Sequence, residues 1–214
     1  VRRLFDSAKV VGLTIPYNFD QVTTACVDIV KENDRQDAYV RPIAFSGDGA
    51  MGLYAPDNRV RLAIAAWPWG AYLGKDGIAN GIRVKVSSFQ RSPINAWMGK
   101  AKATGAYLNS ILAKREAIQD GYDEAILLDA QGYVAEGSGE NIFFVKNSEL
   151  FTTPTPTVLD GITRRSVIEI AGDKEVSVTE KLFSRDELYL ADEAFFTGTA
   201  AEITPIREVD GRTI

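Results

Sequence analysis

The chain opens with apolar positions three and four apart, and this spacing predicts helices. Residues 1–11 form the first, ending near Gly12. Phe19 to Lys31 form the second, with Phe19, Val22, Cys26, Ile29 and Val30 on one face. The pattern then becomes continuous. "AYVRPIAFSGDG" (38–49) predicts a strand leaving into a glycine-rich turn, and "VRLAIAAWPWGAYLG" (60–74) a strand broken by Pro68. Beyond it, "RVKVSSFQ" predicts a strand and residues 101–120 a helix. Residues 124–153 predict three short strands, with turns at "AQG", "GSGE" and "KNS". "DGITRRSVIEIAG" predicts a helix and "VSVTEKLF" a strand. "SRDELYLA" predicts a short helix capped by Ser184, and the last stretch two strands around "TGTAAE". The mixture is α/β early and α+β later, with a boundary near residues 70–77.

With 214 residues and 45% hydrophobic positions, the chain can bury a substantial core. Its net charge of -5 makes it a poor partner for nucleic acid or an anionic membrane surface. It has one cysteine, Cys26, so no internal disulfide forms, and no histidine at all. That absence removes His-based triads, His metal ligands and His general bases from one chain, and no metal site is expected. Acid–base chemistry falls to Lys, Tyr, Asp, Glu or a cofactor. No signal peptide or apolar span of membrane length is visible, and a cytoplasmic location is expected. The opening "VRRLFDSAKV" reads as the middle of a helix and the closing "VDGRTI" as an interrupted strand pair, so truncation at both ends is expected.

Five stretches carry possible chemistry. In "WMGKAKATGAYLNSIL" (97–112), Lys100 and Lys102 stand among small residues that let a bulky group approach. A lysine there suits an aldehyde cofactor, although a lysine at a helix start is more often a surface charge. Local sequence does not choose between the two. In "VAEGSGENIFFV" (134–145), Glu136 and Glu140 flank a Gly-Ser-Gly turn. They are either solvated hairpin acids or a carboxylate for a protonated pyridine nitrogen. "DGITR" (160–164) enters a helix and offers an anion site, or plain capping by Asp160. "TGTAAE" (197–202) is a small-residue turn with backbone donors, or only a tight turn. Tyr39, Arg41, Trp69, Tyr72 and Tyr107 are pocket material, or core packing.

Order and wording add what each stretch lacks alone. "AYVRPIAFSGDGAMG", "AAWPWGAYLG", "KATGAYLNSIL", "EGSGENIFFV", "DGITR" and "FFTGTAAEITPI" together resemble the branched-chain amino acid aminotransferases, fold-type IV pyridoxal-phosphate enzymes. The resemblance runs over essentially the whole chain. It implies a small N-terminal α/β domain (1–70), an interdomain loop (71–76) and a larger mixed cofactor-binding domain (77–214).

In the site, the resemblance makes Lys102 the Schiff-base tether and catalytic lysine of pyridoxal 5'-phosphate. Tyr107 matches the partner of the cofactor's phenolic oxygen, Glu136 the carboxylate at the pyridine nitrogen, and Ile162, Thr163 and Thr199 the phosphate binders. Tyr39, Arg41, Trp69, Tyr72, Thr199 and Ala200 match the substrate pocket. Met51 and Leu53 match a loop that reaches a partner subunit's active site in a homodimer or larger homo-oligomer. The family's phosphate arginine is expected in a segment ahead of this chain. The implied reaction moves the amino group of leucine, isoleucine or valine to 2-oxoglutarate, giving glutamate and a 2-oxo acid. Three other fold-type IV activities compete: D-amino acid aminotransferase, R-selective amine transaminase and aminodeoxychorismate lyase. A cofactor-free binding module is the rival outside the class.

Overall fold

The computed structural model describes residues 1–70 and 72–214, Lys75 by its backbone only. Ala71, the first residue of the expected interdomain loop, lies outside the described residues. Cα packing divides the chain into two units, Val1–Trp69 with Ala101–Ala103, and Gly70–Lys100 with Thr104–Ile214.

In the first unit, helices α1 (Arg2–Val10) and α2 (Phe19–Glu32) precede an antiparallel pair, β1 (Tyr39–Ser46) and β2 (Val60–Trp67). Asn18 starts α2 with a reciprocal cap. Its Oδ1 accepts the Gln21 N–H and its own N–H donates to Gln21 Oε1, both at 2.9 Å. The apolar stripe then does what its spacing implies: Val22 joins Ala8 and Ile15 in a core that also packs Ala44 and Leu62. Burying one such valine is worth roughly 1.5–3 kcal/mol. Ala44 occupies one face of β1, so by alternation Tyr39 and Arg41 occupy the other.

The second unit adds α3 (Lys75–Asn80), α4 (Tyr107–Gln119), α5 (Ile162–Asp173) and α6 (Arg185–Tyr189). Its strands are β3 (Ile82–Gln90), β4 (Glu124–Leu128), β5 (Val134–Gly137), β6 (Asn141–Lys146), β7 (Glu149–Thr152), β8 (Val178–Glu180), β9 (Glu193–Gly198), β10 (Glu202–Val209) and β11 (Arg212–Thr213). They form one mixed sheet in the order β5-β4-β3-β10-β9-β6-β7-β8, with β11 on β10. One face holds the main core, including Val84, Ile126, Ile142, Phe144 and Phe196. The opposite face carries α4 on Ala125 and Leu127, and α5 on Phe143 and Phe195. Glu136 pairs with Leu127, while Asn141 and Thr197 lie two residues before Phe143 and two after Phe195. All three side chains therefore share the face that bears α4 and α5.

Several expected elements change. Residues 124–153 make four strands, because "EAILL" and "VAEG" are separate strands of a hairpin. The helix expected from residue 101 starts at Tyr107, after a 3-10 turn at Thr104–Ala106. The expected loop 71–76 runs into α3 at Lys75. Gly74 and Gly81 bracket that helix with φ of 81° and 73°. The strand in "VSVTEKLF" shrinks to Val178–Glu180, and Ser184 caps α6 as expected.

Candidate active site

Residues 97–103 are neither helix nor strand, so Lys100 and Lys102 are not held on opposite sides of a regular element. Their surroundings differ. The Lys100 ammonium donates to the Thr155 carbonyl at 2.8 Å. Lys102 is held by its backbone, whose N–H donates to Ser7 Oγ at 3.0 Å. Its amine is pushed down to about 8, first by desolvation, then by the positive charges of Arg3 and Arg41. Lys102 keeps much of its surface in contact with water. Arg3 was not among the expected site residues.

Tyr39, Trp67 and Trp69 gather on the open face of the β1–β2 pair. Tyr39 stacks on Trp69 with ring centroids 4.7 Å apart and meets Trp67 at 5.1 Å. The Arg41 guanidinium lies over all three, 5.1 to 5.9 Å from their centroids. Trp67 was also not among the expected site residues, although it stands directly opposite Tyr39 in the strand register. Met51 and Leu53 belong to the Gly47–Arg59 turn region and are fully exposed, apart from this aromatic cluster.

In the second unit Glu136 is 3% exposed. One oxygen pairs with the Arg91 guanidinium, whose other arm donates to Ser110 Oγ at 3.3 Å. The other oxygen accepts only long bonds, from Asn141 Nδ2 and Leu159 N–H, both 3.3 Å. Burial pushes the Glu136 carboxyl up, and Arg91 pulls it back. Removing one member of such a pair leaves an uncompensated buried charge. Arg91→Met is therefore expected to lower stability by about 3–5 kcal/mol in urea unfolding of the cofactor-free protein.

Helix α5 begins close by. Its N-cap is Gly161, not Asp160, so the expected side-chain cap is absent and the helix starts without one. Asp160 instead faces the Arg165 guanidinium at 3.7 Å. A Cβ at Gly161 would lie 2.1 Å from Asn141 Oδ1, so only glycine lets α5 start this near the Glu136 shell. Ile162 and Thr163 are the first helical residues, with Ile162 half exposed. Arg164, 2% exposed, anchors the helix by donating to the Thr153 carbonyl at 2.8 Å and pairing with Glu180 at 2.7 Å. Thr197 Oγ1, on the same face of the sheet, is buried with no hydrogen-bond partner. Thr199 and Ala200 form the β9–β10 turn beyond it, with Thr199 exposed.

Tyr72 and Tyr107 adjoin a buried acidic group. The Tyr72 phenol is pushed up to about 12 by burial, then by Glu140, Glu124 and Tyr107. Glu140, expected as one of two hairpin acids, is 3% exposed and pushed up to about 8 by burial and by Glu124. It accepts from the Gly139 N–H at 3.0 Å, and Lys114 neutralises Glu124 across 2.7 Å.

Taken unit by unit, these residues have the chemistry that a phosphorylated pyridine aldehyde requires. Glu136 has one oxygen held strongly and one held weakly, which suits a further N–H⁺ donor. The uncapped start of α5 and the orphaned Thr197 hydroxyl suit an anion. Lys102 suits the aldehyde. Among the described residues, no group of three or more His, Cys, Asp or Glu could hold a metal, and no helix is long and apolar enough to cross a membrane.

Comparison with known proteins agrees. The family model described as Amino-transferase class IV matches residues 1–209. The chain is 51% identical over 212 residues to the branched-chain-amino-acid aminotransferase of Pseudomonas aeruginosa, covering 99% of this chain and 69% of that one. It superposes on the Escherichia coli branched-chain amino acid aminotransferase with a TM-score of 0.97 at 46% identity, covering 100% of this chain and 71% of the other. It also superposes on the branched-chain amino acid aminotransferase of Thermobaculum terrenum in its PLP-form, with a TM-score of 0.92 at 35% identity, covering 99% of this chain and 69% of the other.

Proposed function

We propose, for a chain that belongs to the amino-transferase class IV family and within it to the pyridoxal-phosphate-dependent branched-chain aminotransferases, that it moves the amino group of leucine, isoleucine or valine to 2-oxoglutarate with Lys102 as tether and proton carrier. The observation that carries this reading is the placing of Lys102 in the small-residue stretch "KATGAY" beside Arg3 and Arg41, whose charges, after desolvation, lower the pKa of its amine.

Pyridoxal 5'-phosphate, when bound, supplies the aldehyde that takes the amino group and a ring that draws the electron pair released at the substrate's Cα. The chain does the rest. Lys102 would be the residue that holds the aldehyde carbon and, as a free amine, the group that would take the proton from the substrate's Cα. Glu136, paired with Arg91, would hold the proton on the ring nitrogen. Ile162 and Thr163 at the start of α5, with Thr199, hold the phosphate. Tyr107 orients the phenolic oxygen. Arg3 and Arg41 are the cations beside Lys102, and Arg41 is the one offered to the substrate carboxylate. Tyr39, Trp67 and Trp69 of the first unit offer an aromatic wall to an aliphatic side chain, and in the second unit Tyr72 is assigned to the same substrate, while Thr199 and Ala200 offer backbone donors to the carboxylate. An apolar pocket separates leucine, isoleucine and valine by only about 1–3 kcal/mol per methylene.

The apolar tip carrying Met51 and Leu53, left in water by a single chain, completes the site of a partner subunit in a homodimer or larger assembly. A cytoplasmic setting suits an enzyme whose substrates are free amino acids and 2-oxo acids.

Absorption spectroscopy tests the proposal. The bound cofactor's visible-edge band should move to shorter wavelength with L-leucine and return with 2-oxoglutarate. A band that ignores L-leucine and responds to D-alanine or an R-amine would transfer the chain to a different class IV activity. The pH dependence has a fixed sign. The free amine is the reactive form, so capture of pyridoxal phosphate by cofactor-free protein should accelerate about tenfold per pH unit below about 8 and level off above it. Stopped-flow absorbance between about pH 6 and 9 measures this.

A further inference from the structure

Helix α1 has a face turned to Lys102. Arg3 and Ser7 are four residues apart, one turn of the helix, and so project from one side. Arg3 acts on the Lys102 amine by charge. Ser7 acts on its backbone. The Ser7 hydroxyl donates to the Arg3 carbonyl at 2.6 Å, which fixes its proton and leaves a lone pair free. That lone pair accepts the Lys102 N–H at 3.0 Å. Ser7 is buried, and so is Ala101 beside the lysine. The next residue of α1, Ala8, is locked into the core with Ile15 and Val22. The acceptor therefore sits on a rigid element, whereas residues 97–103 have no regular structure to hold them.

From this juxtaposition we infer that Ser7 is a positioning residue for the reaction: its hydroxyl pins the backbone of Lys102 to helix α1 and so sets where the lysine amine reaches. The inference rests on Lys102 being the tether. It also explains a serine at this point. Serine is an indifferent helix former whose i−4 back-bond gives the helix little. Alanine would serve α1 better, so the hydroxyl's value lies in the second bond it makes.

The test uses Ser7→Ala and Ser7→Thr in the complete chain. In the cofactor-free protein, amide hydrogen exchange at Lys102 should rise at least about tenfold in Ser7→Ala, while the other α1 amides stay as they were. In the loaded enzyme kcat with L-leucine should fall by about ten- to a hundredfold, with KM within about twofold. Ser7→Thr keeps the hydroxyl and should restore most of both. Unchanged exchange at Lys102 would show that the bond does not hold the loop. Raised exchange with unchanged kcat would show that the bond holds the loop to no catalytic effect. Either result overturns the inference. So would faster exchange throughout α1, which would mark Ser7 as a general support of the helix. Failure of the tether reading is separate, because it would appear as full transamination by Lys102→Ala.

Discussion

Lys102→Ala is expected to lower L-leucine transamination by at least about 10⁴-fold, while Lys100→Ala changes it by no more than about threefold. Both substitutions remove one lysine from the same short stretch, so they isolate the chemistry from the local fold. Lys102 combines two tasks that have no second candidate beside it. On the proposed reading it would hold the aldehyde and, once released, carry the Cα proton. The chain contains no histidine to take over the second task. Lys100 cannot stand in, because its ammonium is engaged by the Thr155 carbonyl. Circular dichroism of the alanine variant should match the parent, since Ser7 bonds the backbone N–H and not the lost amine. Adding methylamine should return part of the proton transfer. Transamination at the parent rate by Lys102→Ala would end the assignment.

Glu136→Gln is expected to lower kcat by about 10²–10³-fold with far less effect on stability than Arg91→Met. Gln keeps the shape of the side chain and reverses the polarity of one end. Arg91 demands an acceptor, so the amide oxygen must face the guanidinium. The amide NH₂ is then left where the weakly held Oε2 stood, next to Asn141 Nδ2 and the Leu159 N–H, two further donors. A donor at that place cannot hold a proton on a ring nitrogen and leaves the ring neutral, a poorer electron sink. Single-turnover absorbance with L-leucine separates this loss from substrate binding. A fall smaller than about tenfold would remove Glu136 from the ring nitrogen. The partner of this effect is charge, so Glu136→Asp should recover more activity than Gln despite its shorter reach.

Residues that act through local pattern were legible in the chain. The α2 stripe of Phe19, Val22 and Cys26 follows from spacing alone, and the Glu136 hairpin and the α5 entry follow from short motifs. Residues that act through long-range pairing were not. Arg91 meets Glu136 across 45 positions, and nothing in "FQRSPI" marks that arginine as different from its neighbours. Arg3 is similar: its role is created by the packing of α1 against residues 101–103. Trp67 could have been found, since pairing the two strands by their apolar ends sets it opposite Tyr39. The alternative of capping by Asp160 fails by one residue for a chemical reason. Asp is the better cap by propensity, but the close approach of Asn141 leaves room only for Gly161 there.

The three residues Ala101–Ala103 belong to a unit otherwise finished at Trp69, and this has a consequence for biosynthesis. A ribosome that has delivered Trp69 must still make residues 70–100 before the first unit receives its last piece. At about 5–20 residues per second this takes about 2–6 s. During that interval α1, α2 and the β1–β2 pair can collapse around Val22, but Ser7 has no Lys102 N–H to accept. The amine of Lys102 is thus among the last parts supplied to its own unit, and it enters the chain only after the remainder of that unit has been synthesised. The same discontinuity means that no contiguous fragment ending at residue 69 carries the tether, so excision or transplantation of the first unit requires the distant tripeptide as well.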